Sequence, residues 1–367
     1  MKVLILADPY EPHIIKWVSA LSRRGVHIIL FSLVAGDPSL YPPDQQVLFY
    51  HSRFSGKFIN GRPGNLAKLS YLFTLPRLWR VVRKHKPDIL HAHYASGYGL
   101  IGALSGFQPF VVSAWGSDVI HFPTISRLHR WMIRFVLKKA RRVLSTSRFM
   151  AGYIKQLAGI KASITPFGVD TNVFTPMNHK KEDGNTLVIG TIKKMKPEYS
   201  LQTLIKAFQR VRQMLPDQPM HLRLIGDGVE RGRLEELVQK SGLSSYVDFA
   251  GYGPYAQIAE YHNSLDVYVN VSRAESFGVS VVEASACGRP VVASDVGGLR
   301  EVVQQGRTGY LVEPGNSEAT AQAIYKLASN PELRKKMGAR GRAWVQKHYS
   351  LESSLEQMLS VYQQLIR

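Results

Sequence analysis

The chain of 367 residues holds a single cysteine, Cys287, so no intrachain disulfide can form and nothing in it points to an oxidising compartment. Set among Ala284, Ser285, Ala286 and Gly288, that thiol reads as a small buried side chain rather than a nucleophile. Long apolar runs are missing too. Val3 to Ala7 is stopped by Asp8, too short for the hydrophobic region of a signal peptide, and no run approaches the roughly 18 residues of a membrane span. A cytoplasmic protein is therefore expected. There is no Asp-x-Asp and no other carboxylate or histidine cluster with metal-ligand spacing, so neither a metal nor a cofactor is expected. The first turn, Asp8-Pro9-Tyr10-Glu11-Pro12-His13, has no glycine-rich phosphate loop, and nucleotide binding is not read there. Acid is scarce in one half only: residues 1–185 hold 25 Lys and Arg against 9 Asp and Glu, net +16, whereas the remainder holds 22 against 18, net +4. A basic excess of that kind suits nucleic acid, an anionic membrane or a polyanionic substrate.

What is present is enough for about two domains, and 45% hydrophobic content excludes global disorder. The stretch that organises the chain runs from Ser272 to Gly298. The β-branched and aromatic run Asp266–Val271 predicts a strand, Ser272 to Gly278 a turn, Val279 to Cys287 a helix, and Pro290 to Ala293 a buried strand. Gly278 lets a backbone approach a ligand closely, and the free amides of the first helical turn, with the helix dipole, suit a phosphate. Glu275 lies just before that terminus and Glu283 inside the helix, so two carboxylates are available to accept from sugar hydroxyls on either side of it.

The remaining chain alternates strand and helix, which predicts parallel sheets. Strands are expected at Met1–Ala7, Val26–Ser32, Ile89–His93, Phe110–Ser113, Thr186–Ile192, Leu222–Ile225, Val247–Ala250 and Gly309–Val312. Helices are expected over 14–24, 66–86, 201–214, 299–305, 318–329, 331–345 and 351–366, with Ser350 capping the last. The irregular stretch 37–63 reads as a variable loop that shapes an acceptor pocket. From Ser126 to Val143 a helical pattern sets Ile133, Val136, Leu137, Ala140 and Leu144 on one face. Arg127, Arg130, Arg134, Lys138, Arg141 and Arg142 take the rest, with Trp131 and Phe135 between. Two readings stand: a solvated charged face over a core, or an interfacial helix on anionic lipid. No zinc spacing, helix-turn-helix or basic–aromatic β-surface accompanies the charge, so nucleic acid is set aside.

The Glu275/Glu283 pair, the Ser276-Phe277-Gly278 turn, the Glu-Ala-x-Ala-x-Gly-x-Pro-Val-Val run and the following Gly297-Gly298 resemble the donor-site signature of the retaining, GT-B-fold glycosyltransferases of family 4. The Asp-Ile-Leu-His-Ala-His run, the Gly116-Ser117-Asp118 turn and the Gly168-Val169-Asp170 turn are similar to family motifs as well. The resemblance implies an α/β GT-B protein of two Rossmann-like, doubly wound parallel-sheet domains facing across a cleft. The first would span 1–177 and bind the acceptor. A hinge at 178–185 and a donor domain at 186–349 would follow, and the helix 350–367 would cross back to the first domain. It implies transfer of a sugar from a nucleotide diphosphate sugar to an acceptor hydroxyl; the basic helix, rather than the resemblance, adds a glycan or lipid-linked acceptor and an anionic inner membrane face as expected partners.

The resemblance also assigns residues. Glu275 would orient the donor sugar and Glu283 its ribose, while Ser276, Phe277, Gly278 and Val279 would meet the diphosphate. Gly190 is expected in a turn beside Lys193, Lys194 and Lys196, of which Lys193 and Lys196 are favoured to neutralise the leaving group. Gly226 and Gly228 would border the nucleotide, and Tyr252, between Gly251 and Gly253, its base. Where many family members carry a histidine before the Gly-x-Asp turn this chain has Trp115, which leaves His93, His121 or the 115–117 backbone to take that part, or leaves it unfilled. Two rivals remain: a nucleotide-sugar epimerase or phosphorylase of the same architecture, and a basic protein that only binds.

Overall fold

A computed structural model describes residues 1–41, 47–52, 71, 73–177 and 186–366, and the chain divides into two compact units, Met1–Phe167 with Ser354–Arg367, and Gly168–Ser353. The expected hinge at 178–185, most of the stretch 37–63 and the front of the 66–86 segment lie outside the described residues.

In the first unit seven strands form one parallel sheet: β1 (Lys2–Leu6), β2 (His27–Ser32), β3 (Val47–His51), β4 (Ile89–His93), β5 (Phe110–Ala114), β6 (Arg142–Ser145) and β7 (Ser163–Ile164), in the order β3-β2-β1-β4-β5-β6-β7. Continuous Val, Ile and Leu in β1, β2 and β5 are what a sheet covered on both faces requires. Alternation along each strand then sorts the side chains. Leu4, Leu6, Leu90, Ala92, Phe110 and Val112 pack in one core with the apolar faces of three helices, Leu75–His85, Gly97–Leu104 and Arg127–Lys139. His91 points the other way, where its Nδ1 meets the Tyr362 hydroxyl at 2.6 Å and its Nε2 the Ser113 hydroxyl at 2.8 Å. Tyr362, on the last helix Leu351–Ile366, is wholly buried.

The second unit has six parallel strands, β8 (Leu187–Ile192), β9 (Met220–Ile225), β10 (Val247–Gly251), β11 (Val267–Asn270), β12 (Val291–Ser294) and β13 (Gly309–Val312), in the order β10-β9-β8-β11-β12-β13. In both sheets the strand order reverses once, between β1 and β4 and between β8 and β11. Such a reversal parts the loops at the carboxyl ends of two neighbouring strands, which is where doubly wound sheets bind ligands.

Three expectations need correction. The basic helix stops at Lys139, because Ala140 turns to extended backbone (ψ 133°) and Leu144 joins β6. The helix after Gly298 lasts one turn, Leu299–Val302; Val303 is extended and the Thr308 hydroxyl takes the Gln304 amide at 2.9 Å. Gly190 is not in a turn but within β8, where a β-carbon would lie 2.5 Å from the Arg223 carbonyl oxygen and 2.6 Å from Leu265. Its hydrogen side chain permits β8 to pack flush against the sheet and its cover.

Candidate active site

The loop after β11 and the loop after β8 meet at the reversal point of the second sheet. β11 ends at Asn270, whose side-chain oxygen accepts from both the amide (3.1 Å) and the hydroxyl (2.6 Å) of Ser272, turning the chain sharply. The loop then runs past Glu275 to Gly278, which at φ +98° adopts the left-handed conformation that starts the helix Val279–Ala286. Gly298 supports this turn from behind. A β-carbon there would lie 2.6 Å from the Phe277 α-carbon, and its amide donates to the Glu275 carbonyl at 2.9 Å. The Gly297-Gly298 pair thus serves to seat the 275–278 loop, and Phe277 is buried beneath it. The Val281 and Val282 amides donate to the Gly278 carbonyl at 3.0 and 3.2 Å, which leaves the Val279 and Ser280 amides at the helix end, with a partial positive charge of roughly half a unit.

Glu275 does not stand alone on this loop. Its Oε2 pairs with the Lys193 ammonium at 2.5 Å, and both side chains are mostly enclosed, at 13% and 15% exposure. Burial by itself would lower the Lys193 pKa; the Glu275 carboxylate outweighs it and holds the ammonium above its ordinary value. The ring of Tyr199 lies 4.6 Å from the ammonium and adds a cation–π contact. Lys193 is itself fixed through the neighbouring loop. Gly226 (φ +135°) and Gly228 (φ +157°) press against the carbonyls of Lys193 and Met195, and the Met195 amide donates to Asp227 at 2.8 Å. These two glycines hold the lysine loop by close backbone contact.

Glu283 sits on the same helix, 7% exposed, with its Oε2 3.4 Å from Nε2 of the buried His262. Tyr252 is 61% exposed on the turn after β10. Lys194 is exposed, and Lys196 is exposed with its ammonium 3.9 Å from Glu198, so neither shares the enclosed position of Lys193. Cys287 is buried, its thiol pushed up to about 12 by that burial.

The reversal point of the first sheet has a different lining. Asp118, wholly buried, accepts from the amides of Ala95 at 2.6 Å, Gly116 at 2.8 Å and Trp115 at 3.1 Å, tying the loops after β4 and β5 together. Trp115 then stands edge-on to His13, His93 and Phe167, and His13 stacks on Phe167 with ring centres 4.0 Å apart. His93 is only 2% exposed, with neither ring nitrogen hydrogen-bonded among the described residues. Burial brings it down to about 3, so it is a neutral imidazole, set edge-on against Trp115. His121 is exposed on the far side of that loop's short helix. The contributions of Tyr199, His262 and Asp118 were not read from the sequence. Asp118 alone left a signal, as the acid of the Gly-x-Asp turn.

Comparison with known proteins agrees with this arrangement. A family model for glycosyl transferases group 1 matches residues 175–344, and one for glycosyl transferase 4-like proteins matches residues 2–147. The D-inositol 3-phosphate glycosyltransferase of Arthrobacter sp. is 27% identical over 89% of this chain and 84% of its own. Among solved structures, sucrose-phosphate synthase from Thermosynechococcus elongatus superposes with a TM-score of 0.85 at 22% identity, covering 100% of this chain and 99% of its own. Anabaena HepE, solved with UDP and glucose, superposes with a TM-score of 0.78 at 22% identity over the whole of both chains. The two family matches follow one another along the chain, and the two doubly wound sheets share the architecture of these neighbours. The protein belongs to the group 1 glycosyltransferases of family 4 and has the GT-B fold.

Proposed function

We propose that the second unit binds a nucleotide diphosphate sugar and that the enzyme transfers the sugar, with retention and without a metal ion, to the hydroxyl of a glycan or lipid-linked acceptor. The observation that carries this reading is the enclosed Lys193–Glu275 pair beside the amino end of the helix Val279–Ala286. A diphosphate at that helix end gains the Val279 and Ser280 amides and the dipole, and the Lys193 ammonium lies within the adjoining loop to offset the charge that grows on it. Glu275 uses Oε2 for the lysine, which leaves Oε1 to accept from a hydroxyl of the donor sugar. Glu283, further along the helix, accepts from the ribose.

In the transfer step the bond from the anomeric carbon to the phosphate oxygen breaks, its electron pair passing to the diphosphate. The acceptor oxygen bonds to that carbon from the same face, and its proton goes to the departing phosphate oxygen. Lys193 and the helix end stabilise the transition state more than the bound donor, because the phosphate charge is larger there. The HepE structure with UDP supports a uridine nucleotide as the first donor to try.

The test is a thermal-stability screen of the whole chain against UDP, GDP, ADP and their sugars, followed by a transfer assay. A bound nucleotide at about 100 times its Kd stabilises by about 2.7 kcal/mol, and Glu283→Ala should remove most of that shift. If no nucleotide raises the midpoint, or Glu283→Ala transfers sugar at the full rate, the donor assignment fails. Detection of an epimer or a sugar phosphate in place of a transferred sugar would replace the reaction with one of its rivals.

A further inference from the structure

The first unit's charge is concentrated on one face of its sheet. The chain has no Asp or Glu between Asp118 and Asp170 and none between residues 75 and 87. The helices Leu75–His85, Gly97–Leu104 and Arg127–Lys139 cover the same side of the sheet, since Leu78 and Val81, Ile101, and Ile133, Val136 and Leu137 belong to a single core with Leu90 and Val112. The uncharged middle helix packs against the third, and the Trp79 indole donates to the Ser105 carbonyl at its end at 3.0 Å. The two cationic helices therefore flank it on one surface.

That surface is basic and apolar together. On the third helix Arg127, Arg130, Arg134 and Lys138 are exposed and make no ion pair among the described residues, while Leu128 and Trp131 are 60% and 62% exposed. Trp131 stacks on Phe135 at 5.7 Å between ring centres, which holds the indole outward instead of folding it down. On the first helix Trp79 is 41% exposed, beside the exposed Arg80, Arg83 and Lys84. Exposed Leu128 and Trp131, and the exposed part of Trp79, are thus set among cations that form no ion pair among the described residues.

We propose that this face docks on an anionic lipid bilayer, with Leu128, Trp131 and Trp79 at the headgroup–acyl boundary and the arginines and lysines over the acidic headgroups. Charge complementarity selects the lipid, and the exposed indoles select a bilayer over a soluble polyanion, because a polyanion offers them nothing apolar to enter. The inference is independent of the sugar-transfer reading: vesicle binding reports this face and nucleotide binding reports the second unit.

The experiment floats the full chain with vesicles of phosphatidylcholine alone or with roughly a third phosphatidylglycerol, at low salt and at about 0.5 M salt. Binding is expected only to the anionic vesicles and is lost in high salt. Arg130→Glu with Arg134→Glu should weaken it by at least about twenty-fold, since each cation near such a surface contributes about five-fold. Trp131→Ala with Leu128→Ala should weaken it about ten-fold while the nucleotide-induced thermal shift stays unchanged. Equal flotation with neutral vesicles overturns the proposal. So does heparin binding as tight as vesicle binding together with indifference to Trp131→Ala and Leu128→Ala, which would make the face a generic polyanion surface.

Discussion

The two sheets reverse strand order at equivalent places and line those places in opposite ways. After β8 and β11 the second unit presents paired charge: a lysine locked to a glutamate, a second glutamate facing a histidine, and a helix end. After β1, β4 and β5 the first unit presents rings: His13, His93 and Phe167 edge-on around Trp115, His13 stacked on Phe167, with one buried aspartate spent on backbone amides. The lesson is one of division. A charged leaving group demands preset electrostatics, which are costly to build and leave little freedom. The aromatic side chains of the first unit supply shape and a dry wall instead. The first unit keeps its charge on the outside of its helices, on the face proposed above for an anionic bilayer.

The comparison is broken most severely by removing Glu275. Glu275→Ala leaves an enclosed ammonium without a counter-charge, so stability should fall by about 3–5 kcal/mol and transfer should vanish. Adding Lys193→Met to Glu275→Ala should return most of the stability and none of the activity. Chemical denaturation alongside a transfer assay reads both. If the double variant is as unstable as the single one, the pair is not the source of the strain.

The second test falls on the first unit and uses pH. Burial brings His13 and His93 down to about 3, and His91 well below its usual value, so between roughly pH 6.5 and 3 the unfolded chain holds protons that the folded chain does not. Stability from these groups is therefore complete above 6.5 and is lost as pH falls. At pH 5 each of His13 and His93 should cost about 2 kcal/mol. His93→Phe should flatten the acid limb by about 1.4 kcal/mol per pH unit. A limb unaffected by His93→Phe would mean that water reaches that imidazole.

A smaller effect separates holding from binding in the second unit. Gly226→Ala puts a β-carbon onto the Lys193 carbonyl at a φ of +135°, a strain of about 1–3 kcal/mol, so stability and donor affinity should fall together. Tyr252→Ala, on an exposed side chain, should weaken nucleotide binding without moving the melting midpoint. Nucleotide titration of the two variants beside their melting curves decides the matter. Equal stability of Gly226→Ala and the parent would return the glycine to direct nucleotide contact.

Much of this was legible in the sequence because its signals are local. The β-branched runs, the Ser-Phe-Gly turn and the Glu275/Glu283 spacing lie within a few dozen residues, and the strand-turn-helix-strand unit they predict stands in the structure with its helix one residue shorter. What was not legible depends on distant packing. Lys193 and Glu275 are 82 positions apart, so only the fold reveals which lysine is enclosed. Gly190 resembled a turn glycine because the sequence cannot display the Arg223 backbone that crowds it. The burial of His93 beside Trp115 was not legible because it is a property of several loops at once. The long basic pattern continued past Lys139 because Leu144 keeps helical spacing while its backbone follows the sheet.

The smallest expected effect settles the choice between the lysines. Lys196 is half exposed and 3.9 Å from Glu198, a geometry that contributes almost nothing to folding in water. Lys196→Ala should therefore change stability by less than about 0.5 kcal/mol. If only the enclosed lysine offsets the diphosphate, its transfer rate should also stay within about three-fold of the parent, the scale of a distant screened charge. A fall of a hundred-fold or more with stability unchanged would show that the loop after β8 closes on the donor and brings the outer lysine in. The paired charge of the second unit would then be only half of the electrostatic set, and the other half would be recruited by the substrate itself.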